Sequence, residues 1–414
     1  MSGETVFTYA APGLKFGRGA SREVGWDLAQ YGARRVLLLT DAGVAAAGHA
    51  ARVAESITSA GLDVTTYDRV RVEPTDGSWA DAIEFALAEG PFDAVVAVGG
   101  GSSIDTAKAV NLLLTNEGEL MDYVNAPVGG GRAPTKPLLP MVAVPTTTGT
   151  GAESTTICVL DVVALKVKTG ISHARLRPTL AVVDPDLTTS QPPMVTASCG
   201  MDILCHALES WTARPYTSYD PKRPEQRVPY CGSNPIADMW AEKSLSLLAK
   251  SFVRAVRDGD DAEAREEMAL AATFAGLGFG NAGVHVPHAC AYPIAGRVRD
   301  YRPPDYPADE AMVPHGMAVV MTAPAAFDLL RAAAPERHRR AAELLGGEDL
   351  PTVLRSLMRD VGLPSGLAEL GFDGSDVDDL VGGALQQQRL LATAPIEVGA
   401  DELAGVFRAS MEHW

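Results

Sequence analysis

Asp202 and His206 stand four residues apart in the stretch Gly200-Met201-Asp202-Ile203-Leu204-Cys205-His206-Ala207-Leu208-Glu209. That spacing puts both side chains on one face of a helix, one turn apart. Apolar residues at 201, 203, 204, 207 and 208 predict that the helix is buried, and a buried carboxylate must find a partner. An isolated pair of this kind reads first as an Asp–His hydrogen bond in a core. Two later histidines change that reading: His288 in Gly283-Val284-His285-Val286-Pro287-His288, and His315 in Val313-Pro314-His315-Gly316. One carboxylate with three imidazoles suits a divalent first-row metal, Fe²⁺ or Zn²⁺, with a position left for a substrate oxygen. Cys205 and Cys290 adjoin these residues in sequence and read as small core residues.

A second chemistry-bearing pattern lies earlier. The apolar run Ala94-Val95-Val96-Ala97-Val98 predicts a buried strand, and it leads into Gly99-Gly100-Gly101-Ser102-Ser103-Ile104-Asp105-Thr106-Ala107-Lys108, which predicts a helix to about residue 114. Glycines between a strand and a helix let a phosphate reach bare backbone N–H groups at the positive end of the helix. The plain alternative is a tight turn. The run is neither G-x-G-x-x-G nor a Walker loop, which disfavours kinase-type phosphoryl transfer. After another strand, at 141–144, comes Pro145-Thr146-Thr147-Thr148-Gly149-Thr150-Gly151-Ala152-Glu153, whose hydroxyls and glycines suit pyrophosphate and ribose. Asp41 ends the strand Val36-Leu37-Leu38-Leu39-Thr40. It could accept from a ribose hydroxyl and repel a 2′-phosphate, favouring NAD over NADP, or simply cap a helix. Lys168, in a predicted hairpin of 158–160 and 165–168, could pair with a cofactor phosphate.

These residues need a scaffold. Strands at 36–40, 64–67, 94–98, 141–144 and 180–183 alternate with helices at 45–60 and 79–89, which predicts a doubly wound parallel sheet. Beyond about residue 187 the pattern is almost entirely helical, at 237–256, 262–276, 316–330, 335–345, 350–361, 377–391 and 401–411. The 414 residues are therefore expected to form an α/β dinucleotide-binding domain over 1–187 and an all-α metal-binding and catalytic domain over 188–414. Between the metal helix and the next, residues 213–233 form a polar loop long enough to expect a functional or subunit-contact role.

The net charge of −17 disfavours nucleic acid and anionic membrane surfaces as partners. Attraction for an anionic dinucleotide must then come from helix ends, a few cations and the metal. No apolar run approaches the roughly 20 residues of a membrane helix, and the N-terminus lacks the pattern of a signal peptide. An odd number of cysteines without a C-x-x-C pair, five in all, points to a reducing compartment. Cytoplasmic localisation is expected.

Taken together, the motifs at 99–108, 145–153 and 200–206, the histidine at 288 and Pro314-His315-Gly316 resemble the iron-containing (group III) alcohol dehydrogenases over essentially the whole chain. Within that family the chain is most similar to the hydroxyacid–oxoacid transhydrogenase branch, through residues 67–76, 205–210 and 278–285. The resemblance implies metal ligation by Asp202, His206, His288 and His315. It implies cofactor contacts at Asp41, Gly100, Gly101, Ser102, Thr146, Thr147, Thr150 and Lys168, with Asp105 of the same motif counted among them. It also implies a homodimer, and a hydride-transfer reaction on an alcohol, aldehyde or hydroxyacid, such as 4-hydroxybutyrate with 2-oxoglutarate. Many family members carry a further histidine four residues after the third ligand; here that position is Tyr292, so Tyr292 or His285 is expected to stand in for it in proton transfer. No cation for a substrate carboxylate is evident beyond Arg214, Lys222 and Arg223. The rival readings are a plain NAD-dependent alcohol dehydrogenase or aldehyde reductase, a dehydroquinate-synthase-like lyase, and a catalytically silent binding protein. The lyase would want a basic cluster for a phosphorylated substrate, and none is evident.

Overall fold

The structure, a computed structural model, describes residues 3–165, 167–308 and 311–414. The chain divides into two compact units. One is Ala11–Gln191; the other joins Pro192–Trp414 to the N-terminal segment ending at Ala10. The division thus lies at Gln191/Pro192 rather than 187/188, and the residues before Ala11 leave the α/β unit. They are drawn away by two polar anchors. The Glu4 carboxylate accepts from the N–H groups of Thr5, Val6 and Lys222 and pairs with Arg227. Asn281 clasps the backbone of Ala10 through both its amide oxygen and its amide nitrogen.

The α/β unit contains β1 (Gly13–Phe16), β2 (Arg35–Leu39), β3 (Asp63–Tyr67), β4 (Ala94–Gly99), β5 (Met141–Pro145), β6 (Ile157–Val162), β7 (Val167–Ser172) and β8 (Leu180–Val183). Six strands form one sheet in the order β1-β8-β5-β4-β2-β3, every pair parallel, while β6 and β7 make an antiparallel hairpin. Helices α1 (Val24–Gln30), α2 (Ala42–Ala46), α3 (His49–Ser59), α4 (Asp76–Glu89), α5 (Gly101–Thr115) and α6 (Leu120–Tyr123) connect and flank them. The uninterrupted apolar strands are explained by two covered faces. Val36, Leu38, Val96, Val98 and Val142 pack with Val24, Leu28, Val53 and Ile57 on one side. Leu37, Leu39, Val95, Ala97 and Ala143 pack with Ala82, Ala86, Ile104, Ala107 and Val110 on the other. The strand order reverses between β2 and β4, and the crevice at the carboxyl ends of such strands is where an open α/β sheet binds ligands.

Two local readings differ from expectation. The helix expected over 45–60 is split at Gly48, whose φ of 80° only glycine adopts without strain, into α2 and α3. Strand β1 escapes a periodicity search because it is four residues long and largely exposed, held at the sheet edge by pairing with β8.

The helical unit contains α7 (Pro193–Thr212), α8 (Pro235–Arg257), α9 (Ala262–Ala282), α10 (Val286–Gly296) and α11 (His315–Leu330). The shorter helices α12 (Pro335–Leu344), α13 (Leu350–Asp360), α14 (Val377–Leu385), α15 (Gln388–Leu391) and α16 (Ala400–Ala409) follow. Pro287 opens α10 instead of breaking it. Proline fits a helix's first turn, where its missing N–H has no intrahelical acceptor. The segment His315–Ala333 has the length and apolar composition of a membrane span, contrary to the sequence reading, but 67% of that window is buried inside the protein, as in a core helix.

His338 on α12 is buried beside Phe327, and neither ring nitrogen has a hydrogen-bond partner. Burial, aided by His285 and Arg331, pushes it down to about 4. The unfolded chain, with an ordinary histidine near ~6.5, therefore binds more protons than the folded one between those values. Stability should fall as pH drops from about 6.5 towards 4. Urea midpoints measured across that range in the native protein and in His338→Leu are expected to show a shallower slope in the variant.

Candidate metal centre and dinucleotide loops

Helix α7 is buried along nearly its whole length and carries Asp202, His206 and Glu209 at i, i+4 and i+7, all on one face. His288 comes from the first turn of α10, and His315 opens α11. The structure brings one ligand atom from each of Asp202, His206, His288 and His315 within 4.8 Å of one another. Asp202 Oδ1 is the hub: it lies 3.5 Å from His288 Nε2, 3.7 Å from His206 Nε2 and 3.7 Å from His315 Nε2. Asp202 Oδ1 and His288 Nε2 are both buried without a hydrogen-bond partner among the described residues. Buried polar atoms left without partners are costly unless a charge they can bind sits among them. This donor set, an oxygen and three nitrogens, fits a divalent iron or zinc ion.

The surrounding side chains hold the ligands in place. His206 stacks on Phe279 of α9, with centroids 3.8 Å apart and planes 5° from parallel. Glu209 was not foreseen as part of the site. Its Oε1 accepts from the backbone N–H of His288 at 3.0 Å, and its Oε2 pairs with His288 Nδ1. Burial acts against the imidazolium of His288, but the charges of Glu209 and Asp202 outweigh it and lift the group to about 9. Burial pushes His206 down to about 3 despite Asp202. Burial also pushes Asp202 up, yet the fields of His206 and His315 prevail and hold its carboxyl well below the usual range.

Of the two residues expected to move protons, His285 is fully buried. Its Nε2 shares a hydrogen bond with Thr212 Oγ1 at 3.0 Å, and its Nδ1 is 3.9 Å from Glu209, so it faces the supporting layer and not the cation site. Tyr292 lies one turn after His288, with its ring stacked 6.4 Å from that of His315. Cys205 and Cys290 are buried, their thiols pushed up by burial, and neither belongs to the cluster.

The second set of residues gathers in the α/β unit, where β2, β4 and β5 end. Gly100 precedes α5 without any side-chain cap, leaving first-turn N–H groups of a 15-residue helix open to an acceptor. Helices α2 and α4, by contrast, are capped by Asp41 and Thr75. Thr147 and Thr150 crowd this helix start. A Cβ on Gly101 would lie 2.7 Å from Thr150 Oγ1, and one on Gly100 would lie 3.1 Å from Thr147 Oγ1. Thr146 lies at the base of the same loop, its N–H donating to the Gly99 carbonyl. An uncapped helix start flanked by Thr147 and Thr150, neither of them fully buried, fits a pyrophosphate.

Asp41 adjoins this loop. One oxygen caps α2 through the Val44 N–H at 2.9 Å, and the other accepts from Ser103 at 3.3 Å. Two expected cofactor contacts are otherwise engaged. Lys168 is buried in an ion pair with Glu73, with Asp161 3.5 Å away. It connects to the glycine loop only indirectly, because the Glu73 N–H donates to Ser102 Oγ. Asp105 points inward, accepting from Val159 N–H at 2.9 Å beside the fully buried Lys108. Lys108 in turn donates to the carbonyls of Ala152 and Ile157 and to Thr155. Lys108 thus fastens the threonine loop to α5, and Asp105 fastens β6 to the same helix.

Residues 12–185 match the family described as iron-containing alcohol dehydrogenase, and residues 225–411 match the C-terminal domain of the same family. The chain is 47% identical to the mitochondrial hydroxyacid-oxoacid transhydrogenase of Rattus norvegicus, over 99% of this chain and 91% of the relative. It is 44% identical to the protein of that name from Homo sapiens over the same shares. A crystal structure of 1,3-propanediol oxidoreductase superposes with a TM-score of 0.85 at 30% identity, over 98% of this chain and all of the other. Sulfoacetaldehyde reductase from Bifidobacterium kashiwanohense, solved with NAD⁺, gives 0.81 at 27%, over 98% of this chain and 99% of the other. These relatives overturn the cytoplasmic localisation expected above, since the transhydrogenases are named mitochondrial. Unpaired cysteines report a reducing environment and do not say which compartment provides it. The chain is an oxidoreductase that belongs to the iron-containing alcohol dehydrogenase family.

Proposed function

We propose that this enzyme passes hydride from a hydroxyacid to a 2-oxoacid through a nicotinamide that stays bound, with 4-hydroxybutyrate and 2-oxoglutarate as the substrate pair. The observation that carries the redox reading is the convergence of Asp202, His206, His288 and His315 on one point, where Asp202 Oδ1 and His288 Nε2 are buried with no hydrogen-bond partner among the described residues. The transhydrogenase version is supported by the near full-length likeness to relatives of that name.

When bound, the metal would supply Lewis-acid activation of the substrate hydroxyl and the nicotinamide would accept the hydride. Asp202 and the three histidines hold the ion, Fe²⁺ in our reading, and Phe279 keeps the His206 ring in its plane. Tyr292, beside His315, is our candidate to relay the hydroxyl proton, its phenol oxygen accepting that proton as its own O–H proton is passed on, because His285 is committed to Thr212. The α5 start with Thr146, Thr147 and Thr150 holds pyrophosphate and ribose. The charge of Asp41 disfavours a 2′-phosphate, so the cofactor is NAD. We further propose a homodimer.

The second reading, a plain alcohol dehydrogenase, is favoured by the structural relatives named oxidoreductase and reductase. One assay separates the two. Metal-loaded protein is given 4-hydroxybutyrate and 2-oxoglutarate without added nucleotide. The expected result is equimolar succinic semialdehyde and 2-hydroxyglutarate over many turnovers. Product that forms only when NAD⁺ is added would replace the transhydrogenase with the dehydrogenase.

A further inference from the structure

We propose that Glu209 is the positioning residue of the metal centre, locking His288 into the one ring tautomer and orientation that offers Nε2 to the ion. The inference rests on the metal-centre reading above and concerns a residue that does not itself reach the ion. Glu209 and His288 lie on different helices, α7 and α10, and are fastened at two points. Oε1 takes the backbone N–H of His288 at 3.0 Å and Oε2 takes its Nδ1. The backbone bond sets where α10 begins, and the side-chain bond sets how the imidazole turns. A carboxylate can only accept, so once an ion takes Nε2 the one proton left on His288 is held at Nδ1. That Nε2 is the atom found 3.5 Å from Asp202 Oδ1 without a hydrogen bond.

Charge supports the same role. Glu209 is fully buried and Asp202 nearly so, at 1% exposure. Two buried carboxylates are expensive alone, but together they neutralise one divalent ion. With glutamine at 209 the net charge of the loaded centre would rise by one. An amide N–H facing Nδ1 would also push the imidazole proton to Nε2, where it blocks ligation. Metal-bound histidines oriented by carboxylates are a general device, and losing the orienting group costs about 10–100-fold in metal affinity.

The test uses full-length protein stripped of metal, with Zn²⁺ affinity read by competition with a chromophoric chelator. Glu209→Gln is expected to bind Zn²⁺ about 10–100-fold more weakly. Glu209→Asp, which keeps the charge but is too short to hold both points, should fall between. The unfolding midpoint of each metal-free variant shows whether the fold survives. A signature that a merely structural residue would not move comes from long-range ¹⁵N–¹H spectra of His288. Zn²⁺-loaded native protein should carry its proton on Nδ1. Variants that bind Zn²⁺ within about twofold of native would overturn the proposal. So would a proton on Nε2 of His288 in the Zn²⁺-loaded native protein, whether or not either variant folds. Native protein that binds no Zn²⁺ at all would instead sink the metal-centre reading.

Discussion

Asp202→Asn is expected to cut metal affinity by at least about 100-fold and kcat on the order of 10³-fold. Lewis-acid assistance is worth several kcal/mol, and ~1.4 kcal/mol corresponds to a factor of ten. The reason lies in its central place. Its Oδ1 is the atom 3.5–3.7 Å from the Nε2 atoms of all three histidines, so the substitution touches every ligand pair at once. Asparagine preserves shape but removes the anionic charge that those histidines stabilise. Its amide nitrogen would also turn a donor towards their lone pairs. Binding of NADH, followed by its fluorescence, should stay within about twofold because the nucleotide residues belong to a separately packed unit. Loss of NADH binding alongside the metal would contradict placing the nucleotide contacts in residues 11–191.

Gly316→Ala should destabilise the protein by about 3 kcal/mol, the upper end of ordinary overpacking. The added Cβ would sit 2.0 Å from the carbonyl oxygen of Ser198 and 2.8 Å from the Cβ of Asp202, both on α7. Backbone cannot turn aside as a long side chain can, so α11 must move away from α7. The Met317 N–H bond to Ser198 Oγ, 3.1 Å in this structure, would stretch with it. His315 is the neighbour of Gly316, so the same shift carries a ligand off its point, and an error near 1 Å costs about 100-fold in rate. Urea denaturation and kcat should therefore fall together. A variant with native stability and native kcat would contradict the close helix contact.

Both predictions bear on how much of the molecule was legible in its residues. The four converging side chains could be named because helical spacing ties Asp202 to His206 and because four of the eight histidines, at 206, 285, 288 and 315, cluster in this stretch of the chain. Glu209 escaped notice because an acid in a buried run acquires meaning only when α10 lies across it. Its position at i+7 from Asp202 was the available signal. Lys168 and Asp105 were expected at the cofactor because a motif says which residues are close in sequence and not which way they turn. Each has a nearer partner of opposite charge or a backbone N–H. The parallel sheet was readable from long apolar runs covered on both sides. The small failures share a cause: β1 is held by pairing with β8, and the N-terminal segment is drawn away by Glu4 and Asn281, and both are tertiary contacts that no local pattern records.

The most direct test is a crystal of protein loaded with Fe²⁺ or Zn²⁺ and measured at the metal's absorption edge. The account predicts one anomalous peak per chain, ~2.0–2.2 Å from a carboxylate oxygen of Asp202 and from Nε2 of His206, His288 and His315. An active, metal-loaded protein whose only peak lies elsewhere, with these four side chains unligated, would contradict it.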